Sequence, residues 1–430
     1  MNHIGILVHP AIGHVNPMVN LGKEIQKRGD KVTFFGVPDL RELLAQSEMQ
    51  LWEIGANDFP SGHSASIFKK MGKLSGLQGI KLITRTSKNV CEMLFREAPD
   101  AFKRAGIDIV LIDHTFYYGG TIAEYMNIPF ITICNALPFH QEAAVPPYFT
   151  GWSYANTYMA RLRNKSGYKL INFIGRKVWG VVQRQRKEWK LELYQKRSSA
   201  YSPLAQISQL PQALDFPREE LPGYFHYIGP FKNSSDIEPV FSDSQDFDFD
   251  KLNGKPLIYA NLGSIQNRNR KIFDCIAQAC SELDVDFQLV ISLGNRNEDS
   301  SQVKFPGSPL VFSFPPHQKL INRAHLVITH AGSTALNCLS VGVPMVAIPI
   351  TADQPAMAAR IARAGAGEVI LLKKLNVSTL KASIEKVFVN QEYRDNAKKI
   401  GAAIQEAGGV ERAVDIIEQV MATGQPVLTK

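Results

Sequence analysis

The chain has 430 residues, with 48 Lys and Arg against 40 Asp and Glu, a net charge of +8, 20% charged and 45% hydrophobic residues. These values are ordinary for a globular protein long enough for two domains with a full core each, and they exclude a disordered or fibrous chain. No apolar run is long enough to span a bilayer, no basic start, apolar core and cleavage site mark a secretory signal, and the five cysteines (Cys91, Cys134, Cys275, Cys280, Cys338) form no C-x-x-C pair, which points to reduced thiols in a cytoplasmic protein.

The first half alternates strands and helices. IGILV after the first residues predicts a buried strand. A helix is expected over Met18 to Arg28, with Asn16 as cap, Pro17 as first residue and Gly29 as stop. KVTFFG, DIVLID and FITICN follow as strands, the last two separated by a helical stretch around Gly120 to Met126. Continuous apolar strands alternating with helices predict a parallel sheet covered on both faces. His14, in the turn PAIGHVNP, then stands at the carboxyl end of the first strand, where doubly wound folds bind ligands, and an imidazole there can accept a proton near neutral pH. Asp113 ends DIVLID at the same edge. Phe116, Tyr117, Asn135, Phe139 and His140 lie on loops at that edge and suit an apolar, aromatic acceptor pocket.

Residues 151–200 carry 12 Lys and Arg against Glu188 and Glu192, so this segment holds +10 and the rest of the chain sums to −2. Trp152, Tyr154, Tyr158, Phe173, Trp179 and Trp189 are interleaved with the charge, a pattern that fits solvated helix faces or a peripheral membrane surface. No nucleic-acid motif accompanies it.

From Asn233 to Gly254 the sequence turns polar, acidic and aperiodic, as a linker does. Strands and helices then resume with PLIYANLGS, FQLVISLG, LVFSF and HLVITH. The expected organisation is a domain over 1–232, a linker over 233–254, a second domain over 255–409, and a terminal segment 410–430 whose helix, Val410 to Met421, packs back on the first domain. Within HLVITHAGSTALNCLSVGVPMVAIPITADQ, the apolar strand Leu326 to Thr329 leads through His330 and Gly332 into a helix that Ser333 or Thr334 can cap. A strand over Val343 to Ile350 leads to Asp353 and Gln354. An anion-binding turn beside a carboxylate–amide pair suits a ligand with phosphate at one end and hydroxyls at the other, a nucleotide sugar.

This stretch resembles the nucleotide-sugar signature of the glycosyltransferases that move sugars from UDP to small lipophilic acceptors, in the order Thr329-His330-Ala331-Gly332, Gly342-Val343-Pro344, Asp353-Gln354. The continuation QPAMAARIARAGAGE is most similar to the branch that glucosylates zeaxanthin. The resemblance implies the GT-B form of the α/β class: two doubly wound Rossmann-like domains facing each other across a cleft. It implies His14 as base with Asp113 as partner, because the turn is similar to the family's Gly-His-x-x-Pro element. It assigns the diphosphate to Gly263, Ser264, His330, Gly332, Ser333 and Thr334, and the sugar hydroxyls to Asp353 and Gln354. Two departures stand out. The segment from His330 to Gly342 is one residue short, which places Asn337 where the family has a ribose-binding glutamate. Phe314 and His317 replace the tryptophan and glutamine that meet the uracil, so UDP is expected first and TDP behind it. The D-x-D of Asp246, Asp248 and Asp250 falls in the linker, Asp284 and Asp286 precede their strand, and neither suggests a metal.

The expected function is inverting transfer of a hexose, glucose first, from a UDP-sugar to a hydroxyl of a lipophilic small molecule such as a carotenoid or flavonoid, with no metal or other cofactor. The alternatives are transfer to a membrane lipid or sterol, a nucleotide-sugar sensor without chemistry, and a UDP-sugar epimerase.

Overall fold

The computed structural model describes residues 1–71, 76–232, 247–263, 269–295 and 298–429. Thirteen strands are present among them, in chain order β1 (His3–Leu7), β2 (Lys31–Gly36), β3 (Gln50–Glu53), β4 (Ile109–Asp113), β5 (Phe130–Cys134), β6 (Gln206–Ser208), β7 (Phe225–Tyr227), β8 (Leu257–Asn261), β9 (Gln288–Ser292), β10 (Leu310–Phe312), β11 (Ala324–Thr329), β12 (Met345–Ala347) and β13 (Gly367–Val369). The first seven form one sheet in the order β3-β2-β1-β4-β5-β6-β7 and the other six a second in the order β10-β9-β8-β11-β12-β13. Every pairing is parallel. Both are therefore doubly wound α/β sheets, and strands such as β1, β4 and β8 are apolar along their length because helices cover both faces.

Each strand order reverses direction once, between β1 and β4 in the first sheet and between β8 and β11 in the second. The loops leaving the carboxyl ends of the two central strands part there and open a crevice. His14 follows β1 and Asp113 ends β4. Gly263 and His330 follow β8 and β11. The two crevices supply the candidate site from equivalent places in two domains.

The first helix runs Ile12–Lys27, not from Met18, and Pro17 lies inside it. Pro17 lacks the N–H that would reach the Gly13 carbonyl, so the helix tolerates it at the cost of one first-turn hydrogen bond. The extra turn matters, because it takes His14 off the loop and fixes it on a helix. The predicted strand over Val343 to Ile350 is also shorter, reduced to β12, with Ile348 and Ile350 continuing as loop. The last helix, Gly409–Thr423, lies against the first helix, where Val410, Val414, Ile417 and Val420 share a core with Val15, Met18 and Ile25. Arg28 ties the two helices by ion pairs to Asp415 (2.8 Å) and Glu418 (3.0 Å).

The domains also meet through a buried ionic cluster. Arg360, on the helix Gln354–Arg363, donates to Asp215 of the first domain at 2.8 and 2.7 Å. Asp215 further accepts from Arg218 (3.0 Å) and the Tyr227 hydroxyl (2.7 Å). Burial alone would raise the Asp215 pKa, but Arg360 first and Arg218 next hold it well below the usual carboxylate range. Arg218 also reaches Glu142, so the cluster anchors the loop after β5.

Candidate active site

His14 Nδ1 lies 2.7 Å from Asp113 Oδ2. Asp113 is fully buried at the end of β4 and accepts three further hydrogen bonds: from Thr115 N (2.9 Å) and Thr115 Oγ1 (2.8 Å) at Oδ1, and from Asn135 Nδ2 (2.9 Å) at Oδ2. Burial pushes its pKa up, but His14 first and His114 next outweigh burial and hold it well below the ordinary carboxylate value. An ionised carboxylate has no proton to give, so His14 carries its proton on Nδ1 and keeps a lone pair on Nε2. Burial would lower the His14 pKa, but Asp113 outweighs it, with help from Asp353 of the second domain, and the net shift is upward. The arrangement is a base oriented by a buried carboxylate, with the base already in the tautomer that takes a proton.

Asn135, expected to touch the acceptor, is placed instead behind the catalytic candidates. Its Oδ1 accepts from Gln209 Nε2 (2.7 Å), and Gln209 Oε1 accepts from the Phe231 backbone N–H (3.2 Å). A chain of hydrogen bonds thus runs from a backbone amide through Gln209 and Asn135 to Asp113. Gln209 gave no sequence signal, since it lies 74 positions from Asn135 in the chain. His9, also missed, stacks near His14 (ring centroids 5.4 Å), Phe116 (5.7 Å) and Phe68 (6.0 Å). Burial, chiefly, lowers its pKa to about 4, so it is a neutral wall of the pocket. Phe139 stacks on Tyr148 (4.0 Å) and meets His114 (4.4 Å). A Cβ on Gly151, farther along this loop, would stand 3.5 Å from Pro355, so the loop reaches the second domain. Tyr117 packs beside Tyr118 and Trp179, farther back. His140 is enclosed by Tyr201 and Phe225, and burial drives its pKa down to about 3. It is a packing residue of the domain interior, which the loop position alone did not reveal.

In the second domain His330 lies between two glycines. A Cβ on Gly263 would come 2.7 Å from its ring, and one on Gly332 2.5 Å. His330 Nδ1 is buried without a partner among the described residues, and burial lowers the pKa to about 4. It is a neutral ring with an unmet hydrogen-bonding nitrogen. Ala331 (φ 63°) and Ala352 (φ 55°) both adopt left-handed backbone, immediately before Gly332 and Asp353. Such strain in non-glycine residues gathers where turns are shaped for a ligand. Gly332 is the N-cap of the helix Ser333–Leu339, so neither Ser333 nor Thr334 caps it. Ser333 Oγ projects towards the first domain, 3.7 Å from where a Cβ of Gly13 would stand. Thr334 turns inward to His317 Nε2 (3.4 Å), and His317 Nδ1 meets the Tyr259 hydroxyl (2.9 Å). Both His317 nitrogens are thus occupied from below, unlike the base-edge role expected of it. Gln354 Oε1 accepts from Ile350 N and Thr351 N, both at 2.9 Å, which leaves its NH₂ for a ligand. Asp353 makes no capping bond and is half-buried at the cleft. Asn337 is half-buried on its helix, Phe314 is half-buried on the loop after β10, and Ser264 lies outside the described residues. Of the linker aspartates, Asp248 accepts from the Asp250 backbone N–H and Asp246 lies outside the described residues; Asp286, before β9, pairs with Lys255.

With that geometry in place, a family model described as UDP-glucoronosyl and UDP-glucosyl transferase matches residues 44–424. The chain belongs to this family. Zeaxanthin glucosyltransferase of Pantoea ananas is 32% identical and the alignment covers all of this chain and 98% of the relative. Zeaxanthin glucosyltransferase of Pseudescherichia vulneris is 26% identical, with 99% of this chain and all of the relative covered. Among solved structures, the glycotransferase of kitacinnamycin superposes with a TM-score of 0.75 over 97% of this chain and 98% of its own at 18% identity, a likeness of GT-B fold. The UDP-glycosyltransferase is therefore an enzyme that transfers a sugar to a small-molecule acceptor.

Proposed function

We propose that the enzyme transfers glucose from UDP-glucose to a hydroxyl of a lipophilic small molecule, with inversion at the sugar carbon, and that a carotenoid diol is the first acceptor to try. The pairing of His14 with the ionised Asp113 supports this reading above all other observations. His14 Nε2 takes the acceptor hydroxyl proton while the acceptor oxygen forms its bond to the sugar C1. The bond from C1 to the diphosphate oxygen breaks on the opposite face, and UDP leaves with that electron pair. Asp113 stabilises the imidazolium that results.

Charge builds on the departing diphosphate. His330 through its unmet nitrogen, and the backbone N–H groups after Gly332, are the donors placed for it, with no metal in the scheme. Asp353 and the Gln354 amide group hold the sugar hydroxyls between this turn and His14. His9, Phe116, Phe139 and Tyr148 offer the acceptor an apolar, aromatic wall. The full-length likeness to two zeaxanthin glucosyltransferases favours a carotenoid over a flavonoid or sterol. Five free cysteines, four of them buried, fit a reducing cytoplasmic setting.

The test is UDP release from UDP-glucose with carotenoids, flavonoids and sterols supplied one at a time, with EDTA present and absent. Release that requires an acceptor, survives EDTA and is abolished by His14→Ala is the expected outcome. Release without acceptor, or full activity in His14→Ala, refutes the scheme.

A further inference from the structure

We propose that the outward face of the helix Tyr158–Ile174 is a docking surface for anionic phospholipid bilayers. The proposal rests on the reading that the acceptor is lipid-dissolved. Five large apolar side chains on this helix are exposed: Tyr158 (79%), Met159 (69%), Leu162 (48%), Leu170 (54%) and Phe173 (60%). At 3.6 residues per turn they fall within about a third of the circumference. The buried residues Ala160, Asn164, Gly167 and Tyr168 occupy the opposite side. A helix with one apolar face inward is ordinary surface. This one has a second apolar face, directed at solvent.

The charge around that face decides the occupant. Lys165 and Lys169 lie along one edge of the stripe, and Lys177 follows on the next helix, Arg176–Glu188. Among the described residues these three lysines enter no ion pair. Three arginines of the segment are engaged internally, Arg161 with Glu219, Arg186 with Glu124, and Arg163 with the Ser153 carbonyl and the Trp152 ring, while Arg176 lies over the exposed Phe173 ring and adds a cation to the stripe. The aromatic residues sort the same way. Trp152 packs on Gly167, Tyr154 on Phe216, Trp179 on Tyr194 and Trp189 on Tyr125, while Tyr158 and Phe173 face out. An apolar stripe edged by unpaired lysines matches the boundary between acyl chains and anionic headgroups. A second copy of the chain would bring the same positive edge against it. A nucleic-acid backbone would leave Met159, Leu162 and Leu170 without a partner.

The position ties this surface to the acceptor. The inward side of the helix is fastened to the loop after β5 by Tyr168 to the Val145 carbonyl (3.0 Å), Asn164 to the Ala143 carbonyl (3.0 Å), and a reciprocal pair between Asn172 and Gln141 (2.9 and 3.0 Å). The same loop carries Phe139 and Tyr148. The stripe and the acceptor wall are therefore two sides of one layer, so an enzyme seated by the stripe holds its acceptor loop at the bilayer.

The experiment is co-sedimentation of the full chain, without substrates, with vesicles of phosphatidylcholine alone or of phosphatidylcholine and phosphatidylglycerol in equal parts, at low and high salt. Binding that prefers the anionic vesicles and falls with salt is expected. Each lysine near an anionic surface contributes about fivefold, so Lys165→Gln/Lys169→Gln/Lys177→Gln should lower partitioning by roughly 100-fold at low salt. Leu162→Ser/Phe173→Ser should abolish it. Both variants should keep wild-type turnover on a water-soluble acceptor and lose turnover on one dissolved in anionic vesicles. No sedimentation with anionic vesicles at low salt overturns the proposal, as does equal binding to neutral ones. A dimer in sedimentation velocity that Leu162→Ser/Phe173→Ser dissolves also overturns it and assigns the face to a second copy. Because sedimentation needs no activity, an enzyme without transferase function would leave this test readable.

Discussion

Asp113→Asn puts the candidate mechanism under the most stringent test, because the surrounding hydrogen bonds dictate how the new amide must sit. Oδ1 of residue 113 receives the Thr115 backbone N–H, which cannot rotate away, so the asparagine oxygen stays there. The new NH₂ then occupies the Oδ2 position, where it meets two donors, His14 Nδ1 and Asn135 Nδ2. His14 can respond only by moving its proton to Nε2, which removes the lone pair from the cleft. Asn135 can respond only by flipping, and that turns its NH₂ against Gln209 Nε2. A flip of Gln209 would in turn face the Phe231 N–H with a donor. The network is pinned at both ends by backbone amides, so one donor remains unmatched whichever way the amides turn.

An unmatched buried donor costs about 1–3 kcal/mol of stability. Loss of a correctly protonated base costs about 10²–10⁴-fold in turnover. The assay is acceptor-dependent UDP release together with UDP affinity by calorimetry, since the proposed donor site lies in the other domain. A fall of at least about 100-fold in kcat with little change in UDP binding is expected. Turnover within about threefold of wild type would refute the assignment of Asp113 and return it to capping the turn at Thr115.

The pH profile carries a second expectation. His14 acts only when neutral and its pKa is raised above 6.5, so kcat/KM should fall as pH drops through a value above 6.5; an acid limb centred below 6 would count against it. Gly332→Ala and Gly263→Ala should each weaken UDP binding about tenfold or more by displacing the His330 ring, measured by titration calorimetry, and unchanged affinity would show that the ring does not meet the diphosphate. Arg360→Leu should destabilise the chain by about 3 kcal/mol, the low end for a broken buried pair because Arg218 still faces Asp215, read by urea unfolding. A change below about 0.5 kcal/mol would mean that the ion pair is not formed in solution.

The doubly wound architecture was legible because parallel strands buried on both faces write themselves as apolar runs, and β1, β4, β5, β8 and β11 all fall where such runs stand. Boundaries were less legible. Pro17 reads as a helix start by local preference, and only packing of the preceding turn over β1 extends the helix back to Ile12. β12 is shorter than its apolar run because only Ile348 of the following residues still bonds to β11, at Thr329 O (2.7 Å), while Ile348 and Ile350 remain apolar for packing in the core.

At the site, the sequence exposes what lies at strand ends and hides what supports it. His14, Asp113, His330 and Asp353 are each placed by one strand or one turn, and a local pattern suffices to find them. Asn135 and Gln209 owe their roles to β5 and β6 lying side by side, a fact of strand order rather than of spacing. Asn135 therefore looked like a pocket residue, and Gln209 like nothing in particular. The same limit applies to Asp215 and Arg360, 145 positions apart and joined only when the two domains meet. His317 and Thr334 show the converse. Both stand at expected positions, yet their contact with each other and with Tyr259 turns them into the domain, because a buried imidazole takes partners wherever the packing offers them. The residues that hold a candidate catalytic group in place are thus the ones a sequence least reveals: His14 Nδ1 is fixed by Asp113, and Asp113 is held in turn by the hydrogen bond from Asn135.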